Sequence, residues 1–256
     1  MTAVRTMHGL AQSVVLGAAL LAAVPLLPFL GTAQAQMVAD RTLVAQAADP
    51  ATAQRALLVN LVQLRGRLIT GRELYLFAGD RKLAARHLGP NLNGRMAKIE
   101  EVLGKPGAKP LQDAVDSLDA VAKSGGDFAA FEAAYAKAME ASFKAEHAIT
   151  DNRLASPEFV LAAIADAVEH SAEDYDAAIK DGKVAVPKEY EEVYGYNLAA
   201  VRLWQRLGLK ASPALQQDLA LLERAVPSPV PLTRLYVTPE AMAKLAARIR
   251  AQVTRS

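Results

Sequence analysis

No cysteine occurs anywhere in the 256 residues. Disulfides, thiolate metal sites, c-type haem attachment, cysteine nucleophiles and a lipid on an N-terminal cysteine are thereby excluded, since each needs a sulfur. Aromatic residues are few, at 5%, and neither charge is in excess: 29 Lys and Arg stand against 27 Asp and Glu, a formal net charge of +2. A nucleic-acid surface needs a basic excess, and a disordered chain needs high net charge with little apolar content; at 52% apolar the sequence supplies neither. Also absent are a Gly-rich phosphate loop, H-E-x-x-H, G-x-S-x-G and a dinucleotide fingerprint. An enzymatic reading therefore has no motif to stand on, and the chain is expected to act by binding, with no catalytic residue assigned.

What is present begins with an address. Residues 1–35 carry one basic side chain, Arg5, then an uncharged stretch from Leu10 to Leu30, then Ala33-Gln34-Ala35. This is the three-part grammar of a cleaved secretory signal, with the cut placed after Ala35; the competing reading is a permanent anchor, since 21 uncharged residues are long enough to span a bilayer. Pro25 and Pro28 break that helix late and favour cleavage. Nothing after residue 35 has 18 consecutive apolar residues, so the mature chain, 36–256, is expected to be soluble, without stable membrane insertion. Export without cysteine suits a bacterial periplasm, where stability must come from packing alone.

Fifty-two alanines, with leucine, glutamate and lysine, set the fold class. Strand-type alternation rarely lasts more than a few positions, so the chain reads as all-α, an up-and-down helical bundle or two packed bundles with a sub-division near 124–127. Punctuation predicts helices over 52–78, 81–88, 93–103, 110–123, 127–150, 157–180, 187–207, 213–226 and 239–252. Gly104-Lys105-Pro106-Gly107 is read as a terminator, with Pro110 opening the next helix. Asp127, Ser156, Ser212 and Thr238 are the expected N-caps, and the Pro-rich run 227–239 is a linker before the last helix. On 127–150, Phe128, Phe131, Tyr135, Ala138, Ser142, Ala145 and Ile149 recur at three and four and define an apolar face.

The chemistry-bearing candidates lie mostly on the helices over 157–180 and 187–207. Asp166, His170, Glu173 and Asp174 project from one side of the first, either as a solvated face or as ligands of a divalent ion completed by a second helix. A short connection makes the two helices antiparallel neighbours, which brings Asp174 and Tyr175 near Glu189, Tyr190 and Glu192. The dipole of the second helix already favours acids in its first turns, Glu191 included. Tyr175, Tyr190, Tyr194, Tyr196 and Trp204 crowd one stretch around Asn197, whose amide needs partners that tyrosine hydroxyls would provide. That cluster reads either as a core network or as a polar pocket. His147 reads as a surface or partly buried residue, and His87, before Leu88-Gly89-Pro90, as a charge favouring a helix C-terminus, with ligation as the alternative.

The segment Glu173-Asp174-Tyr175-Asp176-Ala177-Ala178-Ile179-Lys180-Asp181-Gly182-Lys183-Val184, followed by Glu189-Tyr190, resembles the periplasmic helical regions attached to bacterial high-affinity iron permeases. Those regions look like relatives of imelysin-type bundle proteins. The resemblance implies an exported helical protein that accompanies uptake of a metal, iron or copper, with a divalent or ferric ion or a metal-carrying small ligand bound and a membrane permease or another periplasmic protein as partner. His170 and Glu173 keep the imelysin-type H-x-x-E spacing, but Val168 stands where that motif has glycine. A periplasmic scaffold acting through helix-face contacts, with no ligand, is the rival reading.

Overall fold

A computed structural model describes residues 49–76, 79, 81–89 and 92–253, all within one compact unit; the expected signal segment lies outside the described residues. The protein is all-α. Its elements are α1 (Pro50–Leu76), α2 (Arg81–Leu88), α3 (Asn93–Ser124), α4 (Phe128–Ala145), α5 (Pro157–Ala178), a two-residue strand pair β1 (Ile179–Lys180) and β2 (Lys183–Val184), then α6 (Pro187–Leu207), α7 (Pro213–Ala225) and α8 (Pro239–Val253). Among the described residues, no helix is long and apolar enough to cross a membrane.

The caps are the ones expected. Asp127 Oδ1 accepts from the Ala130 amide at 2.7 Å, Ser156 Oγ from Phe159 at 3.3 Å, Ser212 Oγ from Leu215 at 3.1 Å and Thr238 Oγ1 from Ala241 at 3.2 Å. Each satisfies an amide that the first helical turn leaves without a partner. At the other ends, Gly125 and Gly208 take left-handed conformations that close α3 and α6.

Three expectations are corrected. Gly104 does break the helix (φ 68°, ψ 161°), but helical geometry resumes directly after it rather than at Pro110, so α3 is one kinked rod with Pro106 and Pro110 inside. Pro106 sits in the first turn of the second segment, where a missing amide hydrogen costs nothing. The segment 179–184 is a hairpin instead of a helix end: Ile179 pairs with Val184 and Lys180 with Lys183. Asp181 (φ 51°) and Gly182 (φ 69°) supply the two left-handed residues that a tight hairpin turn requires. Phe128 is 62% exposed although it belongs to the apolar stripe of α4, because it is the first residue of the helix, one turn ahead of buried Phe131.

One helix organises the rest. Every residue of α1 from Asn60 to Gly71 is buried, and α2, α3, α4, α5 and α6 all pack on it. A helix covered on every side has no polar face, which is why α1 shows no amphipathic stripe. It meets α6 at Gly66 and Gly195, where a Cβ on Gly195 would stand 2.0 Å from the Gly66 carbonyl oxygen. That close crossing carries Arg67 and Thr70 of α1 up to the first turns of α6, where the Thr70 hydroxyl donates to the Glu191 carbonyl at 3.0 Å.

Candidate metal centre

Helices α5 and α6 run antiparallel because the hairpin between them reverses the chain within a few residues. The last turns of α5 thus face the first turns of α6. Asp174 on α5 meets Glu189 and Glu192 on α6, the latter two one turn apart on a single face. One carboxylate oxygen from each of the three lies within 4.8 Å of the others. The Glu192 side chain is 3% exposed, Asp174 19% and Glu189 30%, so the group runs from the interior to the rim.

Three acids at this separation repel one another, and the repulsion is handled unequally. Burial, then Glu189 and Glu192, push the Asp174 carboxyl up to about 7, with Arg95 and Arg67 opposing. Burial would also raise Glu192, but Arg67, Lys188 and the Tyr196 hydroxyl outweigh it and hold that carboxyl below its usual range. Arg67 donates to Glu192 Oε2 at 2.5 Å, Tyr196 donates to the same oxygen at 3.0 Å, and Arg67 Nε donates to the Tyr196 hydroxyl at 3.1 Å. Lys188 places its ammonium 3.1 Å from Glu192 Oε1 and 3.8 Å from a Glu189 oxygen. The cluster therefore holds a resident cation, Lys188, and an entering metal ion has to compete with it. Three hard oxygen donors with no sulfur suit magnesium, calcium, manganese or iron better than cuprous copper.

Of the sequence-derived candidates, Asp174, Glu189 and Glu192 come together as expected with His170 beside them, and the others go elsewhere. His170 lies 3.6 Å from Asp174 Oδ2, but its Nε2 accepts from Arg95 at 2.8 Å, and burial and Arg95 lower its pKa, so it stands beside the acids as a neutral ring. Glu173 is 79% exposed and, among the described residues, its ion-pair contact is with His170, at 3.7 Å. Tyr175 donates its hydroxyl to the Val237 carbonyl at 2.9 Å, and its ring packs 6.3 Å from that of Tyr190, so this pair closes the α5–α6 junction against the segment before α8. The tyrosine that reaches the acids is Tyr196.

His87 stands in the last turn of α2 as expected, but its burial and its partner were not foreseen. It is fully buried, with Nε2 2.7 Å from Glu191 Oε2, because α2 folds back against α1 and under the start of α6. Neither His87 nor Glu191 belongs to the carboxylate group. Asn197 takes its partners from Ser171 (2.8 Å) and the Leu222 carbonyl (3.3 Å) rather than from tyrosine hydroxyls, so it is a junction of three helices in the core. His147 is exposed. Asp166, half-buried, pairs with Arg250 of α8 and with Arg55 of α1, so that end of the face is bridged to neighbouring helices while Glu173 on the same face stays in solvent.

Tyr196 belongs to the aromatic cluster that the sequence offered as a core network or a polar pocket, whereas Arg67, Arg95 and Lys188 were not singled out by the sequence. Lys188 stands four residues before Glu192 on one helix, a legible pair. Arg67 lies 125 positions from Glu192, and no local pattern announces that meeting.

Residues 150–256 match the family model described as an iron permease-associated 4-helix bundle domain. The match spans α5 to α8 and contains Asp174, Glu189 and Glu192, while α1 to α4 lie outside it. No curated protein and no solved structure matches the chain.

Proposed function

We propose that the protein is an exported accessory of metal uptake that acts by binding a hard cation, iron first, at Asp174, Glu189 and Glu192, and that it works beside a membrane permease in the periplasm. The observation that carries this reading is the convergence of the three carboxylates inside the segment that matches the iron permease-associated domain. In this reading Asp174 and Glu189 are the exchangeable rim ligands. Glu192 is the fixed interior one, anchored by Arg67 and Tyr196. Binding and handing on need no bond chemistry, in keeping with a sequence that has no catalytic motif.

Titration of the metal-free protein with ferrous, ferric, manganous, cupric and zinc ions tests it. The expected outcome is a single site tighter than about 100 µM for an iron ion, near −5.5 kcal/mol. The double variant Asp174→Asn, Glu189→Gln should lose that site with its helical circular dichroism unchanged. Absence of binding would turn the reading to a scaffold, which one feature already favours: Val230, Leu232 and Tyr236, exposed apolar side chains on the connection between α7 and α8.

A further inference from the structure

Six large apolar side chains are exposed among the described residues, and four of them, Leu221, Val230, Leu232 and Tyr236, fall on α7 and the connection that follows it. Scattered singly, such side chains need no explanation; gathered on one stretch, they mark a surface that something covers. The stretch forms no helix or strand, yet it is held from within. Leu235 and Val237 pack on the core, and the Val237 carbonyl accepts from the Tyr175 hydroxyl at 2.9 Å. Leu232 and Tyr236 stay outside.

Charge on this stretch has one sign. From Arg224 to Pro239 there are two arginines and no acid. Among the described residues neither Arg224 nor Arg234 pairs with an acid. A groove of about 370 Å³ between α7 and α8 continues the face, lined by Leu221, Arg224, Tyr236, Lys244 and Arg248 and by no acid; of these cations Arg248 is committed to Asp218. The nearest acids along the chain belong to other faces. Glu223 stands about 200° round α7 from Leu221, and Glu240, one turn before Lys244, lines a different groove, between α5 and α8. Apolar side chains bordered by uncommitted cations complement an anionic amphiphile. Pro227, Pro229, Pro231 and Pro239 remove main-chain donors that a partner strand would pair with, and that would go unsatisfied in a poorly hydrated interface. Both effects favour a lipid surface over a protein partner.

We infer that α7, the start of α8 and the connection between them dock on the surface of an anionic phospholipid membrane. Val230, Leu232 and Tyr236 enter the boundary of headgroups and acyl chains, and Arg224, Arg234 and Lys244 meet lipid phosphates. The face lies apart from the carboxylate group and needs no metal. Tyr175 and Tyr190, which follow Asp174 and Glu189 in the chain, pack at the junction that holds this connection. Docking thus agrees with an accessory that works beside a permease, without resting on that reading.

Because the chain has no cysteine, Leu232→Cys carries an environment-sensitive dye at one place. The metal-free full chain so labelled is titrated with phosphatidylcholine vesicles containing about 30% phosphatidylglycerol, and the dye should brighten and shift to the blue. Phosphatidylcholine alone should act about tenfold more weakly, and about 0.5 M salt should weaken the anionic vesicles similarly. A dye at Phe128→Cys, exposed on α4, should not respond, which separates docking by this face from attachment through residues 1–35. Arg224→Gln with Arg234→Gln should weaken the response about tenfold, as should Tyr236→Ser, with helical circular dichroism unchanged because all three side chains are exposed. Asp174→Asn with Glu189→Gln should leave it unaltered, so failure here and failure of the cation site are told apart. No response at 232, an equal response at 128, equal action of neutral vesicles, or an unchanged response in the arginine variant would each overturn the inference. So would a signal at 232 that grows with protein concentration without lipid, which would assign the face to a second copy of the chain.

Discussion

At the scale of single residues, the candidate centre is decided by charges that burial makes hard to keep. Asp174 has its carboxyl raised to about 7 in the folded protein, against about 3.9 when the chain is unfolded. The folded state therefore holds a proton that the unfolded state has lost between about pH 4 and 7, so this residue costs stability as pH rises through that window and costs most above it. Asp174→Asn should then stabilise the metal-free protein at pH 8, by roughly 1–3 kcal/mol once relaxation and water access reduce the full linkage value, and change little at pH 4.5. Urea unfolding at the two pH values checks this; equal effects at both would show that Asp174 titrates normally. Lys188 makes the opposite contribution. Its ammonium occupies the mouth of the carboxylate group, so Lys188→Met should tighten binding of a divalent ion about tenfold, near 1.4 kcal/mol, as read by competitive titration with a metal indicator. An unchanged affinity would mean that the lysine does not stand where the ion enters.

At the scale of elements, much was legible because caps are local. Asp127, Ser156, Ser212 and Thr238 each act within three residues of themselves, and the chemistry that places them is visible in four-letter words of sequence. The hairpin at Asp181-Gly182 was also written in the sequence, as a dipeptide that favours tight turns, but the helical composition on both sides drew it into α5. The α1–α6 crossing was not legible. Gly66 and Gly195 are 129 positions apart, and only their contact explains both. Gly195→Ala places a methyl group 2.0 Å from a backbone oxygen and 2.4 Å from Thr70 Oγ1, so it should cost about 3 kcal/mol or more by forcing the helices apart. Gly94→Ala on α3, where a Cβ meets nothing within 4 Å, should be neutral or stabilise by up to about 1 kcal/mol. Chemical denaturation of both variants tests the crossing, since comparable losses would mean that helix propensity, not close approach, sets the cost.

At the scale of the whole molecule, buried charges tie α1 to the helices around it. Arg65 on α1 donates to Ser142 of α4 at 2.9 Å and pairs with buried Glu146, which also receives Arg206 of α6 at 2.7 Å. Arg65 and Arg206 both stack on the ring of Phe143, at 4.4 and 4.9 Å. This network joins the segment before residue 150 to the matched segment after it, and one apolar cluster runs through both. The protein should unfold in one transition, with circular dichroism and Trp204 fluorescence coincident. Glu146→Gln should lower that single midpoint by the equivalent of about 3–5 kcal/mol, because it leaves Arg65 as a buried charge without its counter-ion. Two separated transitions would show instead that the α5 to α8 segment folds by itself.

The amino-acid sequence alone determined the helical class, the termini of most helices, and the pairing of Asp174 with Glu189 and Glu192, because each depends on interactions within a few turns or on one short reversal of the chain. Only the tertiary structure decided which helix is central, that His87 is buried against Glu191, that Tyr175 turns its hydroxyl to residue 237, and that Arg67 and Tyr196 hold Glu192 in place. Those facts arise where helices distant in sequence cross. A buried side chain there takes whichever partner the crossing angle brings within hydrogen-bond reach, and no spacing along the chain records that angle.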